Sequence, residues 1–163
     1  MKIGVYSTNI NFDRKSSSAN INGVTGSVWD IHTFQEYDRI TGTVTEQVTR
    51  VDANYSAQKL LSYGPLDDSG FSVGVSLSGI TSPVSWSFST GAASTNNTSS
   101  IASKYGRWIW TASVTTFGDP FVTEPGIRVS NTSGSLAVKF SHTFGTNYGS
   151  HGTGVVTASI PDR

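Results

Sequence analysis

The chain has 163 residues with eleven basic against eleven acidic side chains, enough length for one independent core and no basic excess to drive binding to nucleic acid. It holds no cysteine, which excludes a disulfide framework, a thiolate metal site and a Cys nucleophile. Only 13% of residues are charged, and polarity comes instead from 26 Ser and 20 Thr, a composition suited to secreted and surface-exposed proteins, virus or phage subunits and some lectins.

In chain order, residues 2–12 predict a first strand. Ile3 and Val5 sit on one phase and Ile10 and Phe12 on the other, which implies a bulge between them. Residues 24–34 predict an extended segment of ambiguous phase. Residues 40–51 place Ile40, Val44 and Val48 on one face and Thr41, Thr43, Thr45, Gln47 and Thr49 on the other, a threonine row that ordinary β-propensity explains. Residues 53–63 read as a single helix of good helix formers, capped by Asp52 or Asn54 and stopped at Gly64-Pro65. Asp67 and Asp68 lie in a turn sequence.

Residues 71–89 predict a hairpin in which Phe71, Val73, Val75, Leu77, Val84, Trp86 and Phe88 alternate with serine and glycine. Residues 91–103 are low-complexity and predict a long surface loop. In 105–117, Trp108, Trp110, Ala112 and Val114 share one face opposite Arg107, Thr111, Ser113 and Thr115. Residues 127–130 and 136–144 flank Asn131-Thr132-Ser133-Gly134, a turn cluster that predicts a second hairpin. A last short strand covers 154–160. About eight strands with at most one short helix (53–63) make the expected fold all-β: one antiparallel β-sandwich over residues 1–163, Greek-key or jelly-roll-like, with a β-barrel as the alternative.

Four aromatic residues are the binding candidates, Trp108, Trp110, Trp29 and Tyr105, because flat sugar rings stack on rigid aromatic platforms; against this stands the apolar company of Trp108 and Trp110, which reads as core. His142 falls in phase with Leu136, Val138, Phe140 and Phe144 and reads as a satisfied core or edge histidine. His32, His142, His151 and the carboxylates Asp67, Asp68 and Asp119 show no metal-ligand spacing, and none of the serines sits in a GxSxG elbow. No catalytic, metal or cofactor site is therefore expected. The N-X-Ser/Thr matches at Asn54, Asn96, Asn97 and Asn131 follow from composition.

These features point to a non-enzymatic surface β-sandwich acting by recognition, adhesion or self-assembly, a virion, phage or filament subunit among the cases. Its expected partners are a second copy, a surface partner or a glycan. A carbohydrate-binding module and a small β-pore-forming toxin are the alternatives, the latter because the 71–89 hairpin is amphipathic although its strands fall short of the roughly 9–11 residues a membrane needs. No stretch approaches the roughly 20 apolar residues of a spanning helix. The apolar run at residues 3–6 is too short for a signal-peptide core, so the expectation is a mature exported chain, extracellular or on a cell or virion surface.

Overall fold

Asn22 (φ 52°) and Gly23 (φ 84°) both adopt positive φ, the two-residue turn whose twist matches that of the strands it joins. It connects β1 (Gly4–Ile21) to β2 (Val24–Arg39) in a hairpin that runs from Ile21↔Val24 to Gly4↔Arg39. The computed structural model describes residues 2–66, 93–113, 116–117 and 120–162, and the backbone of Val73–Gly74. The rest of the 71–89 hairpin, the Asp67-Asp68 turn and Asp119 lie outside these residues.

The remaining strands are β3 (Val44–Ala53), β4 (Gln58–Gly64), β5 (Val73–Gly74), β6 (Ala93–Asn97), β7 (Tyr105–Ala112), β8 (Phe121–Thr123), β9 (Gly126–Asn131), β10 (Leu136–Thr146) and β11 (Gly149–Ile160). One sheet has the order β1-β2-β9-β4-β5, with β8 continuing the line of β9 along β2; the other has the order β11-β10-β3-β7-β6. Every pairing among the described residues is antiparallel, and the two sheets pack as a sandwich rather than closing into a barrel.

Alternation places the core between them. Trp29, Ile31 and Tyr37 of β2, Leu60 of β4 and Ile127 and Val129 of β9 meet Val51, Trp108, Trp110, Leu136, Val138, Phe140 and Phe144 of the second sheet. The Trp108 indole N–H donates to the Pro65 carbonyl at 2.8 Å. The outer face of the first sheet carries a smaller cluster of Ala19, Ile21, Val28 and Leu61. Beside it the cross-strand pair Asp30 and Arg128 is buried, with Arg128 Nε and Nη2 each donating to one carboxylate oxygen at 2.6 and 2.8 Å.

Five sequence expectations give way here. Residues 53–63 form no helix: β3 ends at Ala53, a turn follows in which Gln58 N–H donates to Tyr55 O, and β4 begins. Helix propensity is a weak prior, and β4 lies between β9 and β5 with its adjacent Leu60 and Leu61 buried in the two separate clusters. Strands β9 and β10 form no hairpin, because Asn131–Gly134 carries the chain from one sheet to the other. The 91–103 segment contributes strand β6, paired with β7 from Ala93↔Ala112 to Asn97↔Trp108.

The bulges of β1 fall between Arg14 and Ser16 and between Ser16 and Ala19, since Tyr6, Thr8, Ile10 and Phe12 already share one inward face and Val5 points outward. In β3 an irregularity opposite Gly145–Thr146 reverses the phase, so that Val44, Gln47, Thr49 and Val51 are buried.

Gly106 shows how tightly the core is filled. A Cβ there would lie 2.3 Å from Trp108 Cη2 and 2.8 Å from Cζ3, and the indole is fully enclosed. Gly106→Ala is expected to destabilise the fold by about 1–3 kcal/mol through overpacking. Urea unfolding of the variant checks this, and an unchanged midpoint would contradict the packing described.

Candidate functional site

Some of the residues buried deepest between the sheets are polar. Gln35, Gln47, Thr49 and Thr123 are 0–1% exposed, and Thr33 and His142 are nearly as enclosed. Register explains why they meet. Thr8, Gln35 and Thr123 form one cross-strand row in the first sheet, and His142, Thr49 and Trp108 form a facing row in the second.

The hydrogen-bond directions follow from one carbonyl. Pro125 O can only accept, so the Thr33 hydroxyl donates to it at 2.7 Å. Thr33 Oγ1 must then accept, from Gln35 Nε2 at 2.9 Å. That turns Gln35 Oε1 towards Thr49 and Thr123, whose hydroxyls donate to it at 2.8 and 3.0 Å. Gln47 Nε2 adds a bond to Thr123 Oγ1 at 3.3 Å.

The chain of bonds ends at His142. Thr49 has a single proton and gives it to Gln35, so at its 3.1 Å contact with His142 Nδ1 it can only accept. The imidazole therefore carries its proton on Nδ1 and leaves Nε2 as a bare lone pair. The phenol oxygen of Tyr6 lies 3.0 Å from the same Nδ1, with ring centroids 4.3 Å apart. Burial lowers the His142 pKa to about 4 and holds the Tyr6 phenol well above its ordinary value, so both groups are neutral near pH 7.

His142 and Tyr6 also form part of a cleft of about 270 Å³ lined by Tyr6, Thr8, Ile10, Phe140, His142, Thr153 and Val156. Its walls are the outermost strands of the two sheets, β1 and β11, along one open side of the sandwich. Val156 points towards the cleft yet is 59% exposed, and Val155 on the opposite face is 67% exposed. The whole of β11 lacks Asp, Glu, Lys, Arg and Pro. At its end Asp162 reaches across to the first sheet and accepts from Arg14 at 2.8 Å, Asn131 at 2.7 Å and the Ser27 hydroxyl. Burial would raise its pKa, but those donors hold it below the ordinary value.

The four aromatic candidates do not assemble into a platform. Trp108 and Trp110 are core residues with no exposed ring face. Trp29 is buried on β2, donates to Ser27 Oγ at 3.0 Å and carries the Arg14 guanidinium 4.8 Å from its ring centre. Tyr105 is half-buried on the outer face of the other sheet, its ring 4.1 Å from the Arg50 guanidinium. Among the described residues no group of three or more His, Asp or Glu could hold a metal ion. His142 is the cleft residue that its phase made visible; Tyr6, Thr8, Ile10, Thr153 and Val156 carry no local motif.

No protein-family model matches the chain, and no curated protein does. Among solved structures it is similar to a cohesin module from a Clostridium perfringens family 33 glycoside hydrolase, with 6% identity and a TM-score of 0.54 over 99% of this chain and 97% of that one. Weaker likenesses are to Clostridium perfringens delta-toxin (8% identity, TM-score 0.48, 97% and 87% of the two chains) and a collagen-binding domain from a Staphylococcus aureus adhesin (7%, 0.48, 94% and 96%). At such identities the cohesin likeness speaks for the sandwich fold alone.

The neutral His142 couples folding to pH. Its folded pKa lies below the unfolded value of 6.5, so above pH 6.5 it costs nothing. As pH falls from 6.5 to about 4 the unfolded chain gains a proton that the folded chain does not, and stability drops by roughly 3 kcal/mol. Burial also lowers the pKa of His32, which adds slope in the same window. Urea unfolding between pH 7 and pH 4 should therefore show a shallower loss for His142→Gln than for the parent. Equal slopes would contradict a neutral buried imidazole.

Proposed function

We propose that this chain is a non-enzymatic β-sandwich subunit, working outside the cell or on a cell or particle surface, that acts by joining to a second copy of itself along β11. The observation that carries this reading is the character of that strand. It is twelve residues long, lies at the end of its sheet among the described residues and is exposed along most of its length. Edge strands are ordinarily guarded by charge, proline or bulges because their free N–H and C=O groups template pairing. The bulges and the Asp13, Arg14 and Lys15 charges of β1 guard the neighbouring edge, whereas β11 has no fixed charge and a single bulge, at Thr153–Gly154.

The same lack of charge makes β11 complementary to itself. An antiparallel pair of β11 strands sets no like charges opposite each other, continues the second sheet into that of the partner and covers Val155. A second reading rests on sequence alone. The uncharged alternation over 71–89 suits a membrane-inserting hairpin, and release of calcein from phosphatidylcholine vesicles would favour that reading over edge pairing.

Sedimentation velocity over a concentration series tests the proposal. The parent is expected to pass from monomer to dimer or larger species. The double variant Val155→Lys, Thr157→Lys, which faces four ammonium groups across the pair, should stay monomeric with an unchanged circular dichroism spectrum. A parent that remains monomeric at the highest attainable concentration would sink the proposal.

A further inference from the structure

The cleft between β1 and β11 has a floor that the fold leaves incomplete. His142 is only 6% exposed, and its side-chain hydrogen bonds are both at Nδ1, to Tyr6 and Thr49. Nε2 is thus an unpartnered acceptor on a ring that lines the cleft. Open to the cleft, Nε2 can exchange water for a ligand donor, and a ligand that covers it without a donor would leave it buried and unmatched.

The walls define the rest of the ligand. Ile10, Phe140, Val156 and the Tyr6 ring are apolar surface, and Thr8 and Thr153 supply hydroxyls. Of the lining residues only Tyr6 and His142 titrate; none is Asp, Glu, Lys or Arg. A charged ligand would lose its hydration with no counter-charge to replace it. The volume of about 270 Å³ lies just below the range of drug-sized ligand sites, about 300 to 1,000 Å³, and limits the ligand to a small molecule.

From this geometry we infer that the cleft is a binding site for a small neutral ligand with an apolar body and a terminal hydroxyl, an alcohol or a phenol, whose O–H donates to His142 Nε2. The site needs no pairing between copies, because all of its lining residues belong to one chain. Cyclic and aromatic alcohols match its chemistry; their deoxy counterparts leave Nε2 unmatched, and amine or carboxylate counterparts bring a charge into an uncharged cleft.

Nitrogen-15 NMR of the histidine rings, with benzyl alcohol as the probe and toluene and benzylammonium as controls, tests the inference near pH 7. In the free protein Nε2 of His142 should resonate as an unprotonated nitrogen. Benzyl alcohol should shift that resonance saturably, with toluene and benzylammonium each binding at least about tenfold more weakly, the equivalent of one hydrogen bond. His142→Asn places its amide near the Nδ1 position, without a counterpart to Nε2, and should lose the preference for the alcohol. Val156→Trp, at an exposed position, should close the mouth and abolish the shift with the fold intact. A protonated Nε2, equal affinity for toluene, or an unchanged response in Val156→Trp would overturn the inference.

Discussion

Pro125 has a carbonyl that can only accept, and the polarity of the interior follows from it. The sequence of obligate directions, Thr33 to Pro125, Gln35 to Thr33, then Thr49 and Thr123 to Gln35, spans both sheets and leaves little choice of rotamer or register. Each bond contributes only about 1 kcal/mol net, but a buried partner left unmatched costs about 1–3 kcal/mol. A slip of β3 by one residue would turn Gln47 and Thr49 outward and strand Gln35 among apolar groups. The network therefore specifies which faces of β2 and β3 meet, a task that apolar packing alone performs less sharply.

The side of the sandwich that carries the cleft is tied at intervals and open elsewhere. At one end the Asp162 carboxylate, held ionised by Arg14, Asn131 and Ser27, pins the end of the chain that leaves β11 to β1, β2 and β9. Further along, Tyr6 packs on His142 and edge-on against Phe144, while Phe144 stacks with Tyr37 at 4.7 Å. The cleft draws its walls from residues near the second tie, and Val156 is left largely uncovered by the described residues. That combination explains how an apolar wall persists at the surface without the sheets collapsing onto it: the ties set the spacing, and the polar floor resists dehydration.

What the sequence disclosed depended on whether a pattern was apolar. The Trp108, Trp110 and Ala112 face and the Leu136 to Phe144 face were visible because burial there follows hydropathy. The Gln47–Thr49 face was read with the wrong sense, since a face of threonine and glutamine is buried only when a partner network exists, and that network joins residues from five strands. Asn22-Gly23 is a strong hairpin signal flanked by Ile21 and Val24, and its turn chemistry was available to find the full length of β1 and β2. The helix over 53–63 failed for the opposite reason: local propensity was legible, but the competing pairing of β4 with β9 is non-local. Nothing local marks the cleft, whose seven lining residues come from three strands that only the topology brings together.

His142 also bears on what kind of site this is. An imidazole whose pKa is about 4 keeps its Nε2 lone pair throughout the neutral range, which suits it to accept a hydrogen bond. Taking a proton to completion at pH 7 is another matter, since about three pH units correspond to about 4 kcal/mol uphill. General bases work best with a pKa near the operating pH, and the desolvation that makes this nitrogen a constant acceptor removes that property. Burial thus separates binding from proton transfer at the same atom. It favours a cleft that recognises a hydroxyl over one that activates it, in keeping with a chain whose free edge is likewise built from uncharged hydrogen-bonding groups.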